Sequence, residues 1–230
     1  MTAITKRHWI ELIVRSIIFL LTLFAYIIFR ITNTNVFLNI IKLIIFAFFS
    51  YKMITRLIPN IKESMGNQKI FIKNYISTKI ESLNLKNIKQ EGNRVAIIVA
   101  IVWLLANGII FTLYFCNVFD KNLLLVIAMA FSVCDLICIL AVCPFQRVFM
   151  RNKCCNTCRI YNWDFAMMFT PLWVVPSIIN IPLVLQSLAV LIHWEVNHNK
   201  YPERFYEESN ESLKCKNCKE LMCKNKIRKV

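Results

Sequence analysis

Four apolar stretches, at about Trp9–Phe29, Val36–Ile54, Val95–Phe115 and Leu123–Phe145, constrain this chain more than any motif does. Each runs for roughly 20 residues, enough to cross a hydrocarbon core ~30 Å thick. Inside such a core the backbone has no water to pair with, so only helices or a closed barrel can span it. Three glycines in 230 residues are too few for the turns of a barrel. The expected fold class is therefore an all-α integral membrane protein with four transmembrane helices. A hydrophobic share of 57% agrees, since soluble domains hold about 45–50%.

The first run begins like a secretory signal, with Lys6 and Arg7 ahead of apolar residues. It continues to Phe29, however, and Arg30-Ile31-Thr32-Asn33 lacks small residues for cleavage, so it reads as a retained span. The short links 30–35 and 116–122 make hairpins of spans 1 and 2 (residues 1–58) and of spans 3 and 4 (95–145). Between them, residues 59–94 form a polar linker. In it Ile72, Ile76, Ile80 and Leu83 recur at helical spacing beside Lys73, Lys79 and Glu81, which predicts an amphipathic helix on the membrane surface or on the protein's own loops.

The formal charge is +15, and its distribution sets an orientation. Lys and Arg number two in residues 1–8, nine in 52–94 and four in 146–164, against one in each short link. The excess marks the cytoplasmic side. The expectation is a multi-pass cell-membrane protein with a cytoplasmic N-terminus. Residues 165–194 are apolar but broken by Pro171, Pro176 and Pro182, with Asn180 between the last two. About 30 residues cannot cross twice, which takes about 40. The segment therefore reads as a re-entrant hairpin, or alternatively as a fifth span. The hairpin keeps the basic tail, 195–230, on the cytoplasmic side.

Ten cysteines occur, three of them in that tail and four in the stretch 143–158. A reducing cytoplasm argues against disulfides. Two C-x-x-C turns, Cys155–Cys158 and Cys215–Cys218, are the spacing of a four-thiolate metal site, because each turn offers two thiolates to one ion. The expected ligands are Cys155, Cys158, Cys215 and Cys218, with Cys143, Cys154 and Cys223 as extra candidates. Zinc is the first expectation for the metal. An iron–sulfur cluster is the alternative, since Cys143 precedes Pro144 and spare thiols are at hand. An active dithiol, or plain reduced cysteines, are the other readings. His193 and His198 could add a nitrogen ligand, while Tyr161, Trp163 and Trp194 read as interfacial belt residues.

The segment "CILAVCPFQ" resembles membrane-anchored ferredoxin-type proteins, which pass electrons to quinone-linked reductases. The likeness covers about nine residues, and their repeated C-x-x-C-x-x-C-x-x-x-C-P pattern is missing. The chain as a whole resembles small uncharacterised cysteine-rich prokaryotic membrane proteins, a similarity that implies no activity.

Polar groups at membrane depth are costly and so stand out. Asp135 lies in span 4 between Cys134 and Cys138, which share a helix face. Arg15 in span 1 comes to a depth from which it can reach Asp135, whereas Lys42 fits worse. An ion pair that fixes helix packing is one reading. A proton or soft-metal path built from Asp135, Cys134 and Cys138 is another. No phosphate loop, H-E-x-x-H or G-x-S-x-G motif occurs, so catalytic residues are unassigned and enzymatic activity stays open. The basic loops suit anionic lipid, and nothing suggests nucleic acid. Three functions follow: a scaffold or transport protein clamped by a thiolate metal site, a membrane redox protein, or a soft-metal or proton transporter.

Overall fold

The computed structural model describes residues 2–60, 62–78, 82–152 and 154–221. Among these, four helices are long and apolar enough to cross a membrane. They are α1 (Ala3–Thr32), α2 (Val36–Arg56), α4 (Ser82–Phe115) and α5 (Lys121–Leu140). A single turn, α3 (Met65–Gln68), and the pair α6 (Asp164–Phe169) and α7 (Asn180–Lys200) complete the helices.

Local chemistry fixes the ends. Thr2 caps α1 by accepting from the Thr5 amide, and Asn33 closes it in the left-handed region at φ 61°, a conformation Asn tolerates. Asp120 caps α5, accepting from the Asn122 and Leu123 amides at 2.9 Å each. The same carboxylate receives the Tyr26 hydroxyl at 2.9 Å and Arg30 at 3.3 Å, tying α1 to the start of α5 at this end of the bundle. Lys42 is held nearby by Asn122 at 3.2 Å.

The core runs between α1, α2, α5, α6 and α7, around Leu38, Ile45, Phe49, Met129, Phe169 and Leu183. Outward faces stay apolar: Ile13, Ile17 and Phe24 on α1, Ile101 and Leu105 on α4, Leu185 and Ile192 on α7. Such bare apolar stripes are what a bilayer covers.

Three expectations change. First, spans 3 and 4 are consecutive, but α5 packs chiefly on α1 and α6, while α4 lies to the side against residues 145–149 and 170–174. Second, no helix runs from Ile72 to Leu83. Ile72–Asn74 is one 3₁₀ turn, and Ser77 then pairs with Asn210 in an isolated antiparallel bridge. Ile80 lies outside the described residues, and Leu83 belongs to α4. Backbone pairing with the tail (Glu211 amide to Ile76 carbonyl, 2.8 Å) has replaced helix formation. Third, the last long span ends at Leu140, not Phe145: Ala141 leaves the helical region, and Phe145–Phe149 forms a separate π-helical turn.

Residues 164–200 go out and come back. Helix α6 and the 3₁₀ turn Thr170–Val174 make the outward arm, about 19 Å by their rises, which is less than a hydrocarbon core. Asn180 locks the bend by donating to the Val175 carbonyl at 3.0 Å. Helix α7 then returns, and the open ends meet where Trp163 donates to Glu195 at 2.7 Å. Arg159 joins this junction through Glu195 and His198.

Candidate functional site

Helix α5 positions the first thiols. Because the chain turns at Ala141 instead of continuing, Cys143 folds back to within hydrogen-bonding reach of Cys138. Gln146, on the π-helical turn, then joins this strand to the cysteine-rich loop. Its amide donates to Cys143 Sγ at 3.4 Å and its side-chain nitrogen to the Asn152 carbonyl at 2.9 Å. Its Oε1 accepts from Cys155 Sγ at 3.0 Å. One glutamine thus bridges two thiols that lie twelve positions apart in the chain. The C-x-x-C segment is a single 3₁₀ turn, closed by the Cys158 amide on the Cys155 carbonyl at 3.0 Å.

Beneath the turn lies Lys69, only 1% exposed. Its ammonium donates to the carbonyls of Asn156 at 2.7 Å and Cys158 at 2.9 Å, and stands 5.2 Å from the Trp194 ring centroid. Burial pulls the Lys69 pKa down to about 7, against the opposing influence of the Cys158 thiol. Burial likewise pushes Cys158 up to about 12, with Lys69 pulling the other way. Gly66 must be glycine here, because a Cβ would stand 2.7 Å from the Tyr161 ring.

Five of the ten cysteines line one cavity of about 340 Å³: Cys134, Cys138, Cys143, Cys155 and Cys158. The rest of the wall is largely apolar, with Trp103, Phe131, Phe145 and Met167. Asp135 and Asp164 face the same space. Both also border a smaller, charged chamber. There Arg15 Nη1 contacts Asp135 at 3.0 Å and Nη2 contacts Glu11 at 2.8 Å, Lys52 reaches Glu11 at 2.9 Å, and Arg56 holds Asp164 at 2.9 Å.

The tail meets the loop by another route than its thiols. Cys215–Asn217 repeats the 3₁₀ closure, the Cys218 amide reaching the Cys215 carbonyl at 3.2 Å. Cys215 is exposed, Cys218 is half-buried, and neither faces the cavity. Instead Glu220 docks its carboxylate on Ser64 Oγ at 2.9 Å, the Met65 amide at 2.5 Å and the Asn156 side chain. Its carbonyl receives the hydroxyls of Thr2 at 2.8 Å and Thr5 at 3.2 Å. Burial raises the Glu220 pKa. Cys154 is half-buried beside the turn, and Cys223 lies outside the described residues. Among the described residues, no three His, Cys, Asp or Glu side chains stand close enough together to hold a metal ion.

The belt expectation fails for Tyr161 and Trp194. Tyr161 is packed against Gly66, and Trp194 is 2% exposed, edge-on to Phe205. His198 is enclosed by Arg159, Phe205 and Tyr206, while His193 bonds Asn197. Gln146, Lys69, Asp164 and Glu220 carried no sequence signal, because each acts only through chain segments that the fold brings together.

No protein-family model, no curated protein and no solved structure matches the chain. The fold and site define a class without them: an all-helical chain with four candidate transmembrane helices and a cysteine-rich C-terminal region.

Proposed function

We propose that the protein is a multi-pass cell-membrane protein that binds a soft metal ion through the thiols of its cysteine-lined cavity, in a scaffold or transport role. The observation that carries this reading is the convergence of five cysteines from α5, the turn after it and the C-x-x-C loop on one cavity. Thiolates are the ligands that soft ions prefer, and here a helix end and a loop bring five thiols to one largely apolar space. The ligands assigned are Cys138, Cys143, Cys155 and Cys158, a four-sulfur set suited to zinc. Cys143 and the loop lie outside the long helices, so bringing them onto an ion breaks no α-helix. Cys134, one turn deeper than Cys138, gives the same cavity a thiol on the bundle side, as a transport path would require.

A second reading keeps the ligands Cys155, Cys158, Cys215 and Cys218. The docking of Glu220 on Asn156 favours it, since that contact anchors the tail on the first C-x-x-C turn. An iron–sulfur cluster or an active dithiol would use the same cavity thiols, and a cluster would colour the protein brown. The orientation that goes with either reading has the thiol end in the cytoplasm, where Lys and Arg are concentrated.

Elemental analysis of protein purified without oxygen tests this. Bound zinc should fall below about a tenth in Cys143→Ser and in Cys158→Ser, because a four-thiolate site loses most of its affinity with one ligand. Cys218→Ser should retain it. Loss in Cys218→Ser with retention in Cys143→Ser would select the loop–tail site instead.

A further inference from the structure

The charged chamber beside the thiol cavity contains no thiol and has an occupant of its own to explain. It encloses about 20 Å³, room for one water-sized guest. Four carboxylates, Glu11, Glu63, Asp135 and Asp164, border it together with three cations, Arg15, Lys52 and Arg56. His8 completes the wall. It is 8% exposed, and neither ring nitrogen has a hydrogen-bond partner. Arg15 Nε, Asn67 Oδ1 and the Tyr161 hydroxyl, on the same wall, are unpartnered as well.

Buried polar atoms are nearly always paired, and each one left alone costs roughly 1–3 kcal/mol. Two unpaired imidazole nitrogens and three further orphan atoms around one water-sized space mark that space as polar and occupied. Its chemistry selects the guest. Carboxylates outnumber cations in the lining by one, and the compensating charge, Arg7, stands outside on Glu63 at 2.5 Å with its side chain 36% exposed. With Arg7 counted, four carboxylates meet four cations, and the ring of His8 is left as the unpartnered base on the wall.

We propose that the chamber is a proton-binding site in which His8 takes up one proton from the polar end and holds it, through water, among Glu11, Asp135 and Asp164. The Arg7–Glu63 pair forms the rim through which the proton enters. Every charged group facing the imidazole is accounted for: Glu11 and Arg15 on its own helix, Lys52 and Arg56 on α2, Glu63 on the linker, Asp135 on α5 and Asp164 on α6. Imidazole is the side chain whose ordinary range spans neutral pH. Asp135 and Asp164 also face the thiol cavity, so charge in either space acts on the other. The proton site nevertheless stands on its own observations, whatever the thiols bind.

The chain has three histidines, which makes a direct measurement simple. Nitrogen-15 spectra of the imidazoles, recorded on the full chain in lipid nanodiscs, assign His8 by comparison with His8→Gln. The wild-type ring should pass from neutral to doubly protonated between about pH 4 and 7, below the window of an exposed imidazole. Glu11→Gln removes a carboxylate and should lower proton affinity about tenfold. Arg56→Gln removes a cation and should raise it by a similar factor. A wild-type ring that stays in one neutral tautomer over that range overturns the proposal, as does a titration that neither substitution moves. The wild-type spectrum decides without any variant having to fold.

Discussion

Arg15 is a charged side chain 1% exposed within an apolar helix, and its three acceptors explain how it is tolerated. Besides Asp135 and Glu11 it donates to the Ser132 carbonyl at 3.1 Å. An isolated buried cation is very costly, so removing a partner is destabilising even where replacing both is not. Asp135→Asn should lower stability in detergent by roughly 1–3 kcal/mol, the lower part of the usual cost because Glu11 remains with the arginine. Adding Arg15→Gln should recover part of that loss, read from thermal melts of the two single variants and the double. Strictly additive losses would mean that the contact contributes no coupling. Counting residues along the spans from their ends was enough to put Arg15 and Asp135 within reach of each other. It was not enough to find Gln146, whose backbone amide meets Cys143 while its side chain meets Cys155, an arrangement set by the π-helical turn it sits on. Turn geometry of that kind leaves no periodic trace in a sequence.

Among the elements, the α6–α7 pair decides at which end of the bundle the tail begins. Its prolines were readable as interruptions, and they sit where a helix can bear them: Pro171 opens the 3₁₀ turn, Pro176 lies in the bend, and Pro182 is in the first turn of α7, where no intrahelical amide bond is lost. The linker was misread because Ile72 and Ile76 have helical spacing while the segment pairs its backbone with the tail. That competition is non-local, so periodicity alone could not register it. Because the open ends of the pair meet at Trp163 and Glu195, the loop and the tail lie at the same end of the bundle. A membrane-impermeant thiol reagent applied to intact cells should therefore modify Cys116, exposed at the far end of α4, and spare Cys215. Modification of Cys215 together with Cys116 would contradict both the hairpin and the orientation read from the Lys and Arg distribution.

At the scale of the whole molecule, the bundle has one sparse end and one elaborate end. Short caps centred on Asn33 and Asp120 close the first. At the second, the N-terminus, the linker, the loop and the tail interlock through Glu220, Lys69 and the Arg159–Glu195–Trp163 junction. This arrangement surrounds five thiols with apolar walls and sets a charged chamber next to them. Composition was enough to expect the four long apolar helices that the fold contains. It could not say which cysteines share a space, since that depends on where α5 stops. The most direct test is alkylation mapped by mass spectrometry, with and without one equivalent of zinc, on the reduced protein in nanodiscs. Zinc should protect Cys138, Cys143, Cys155 and Cys158 together and leave Cys116 and Cys215 as reactive as before. Protection of Cys215 and Cys218 with Cys138 and Cys143 still reactive, or protection of no cysteine at all, would contradict the thiol cavity as the metal site.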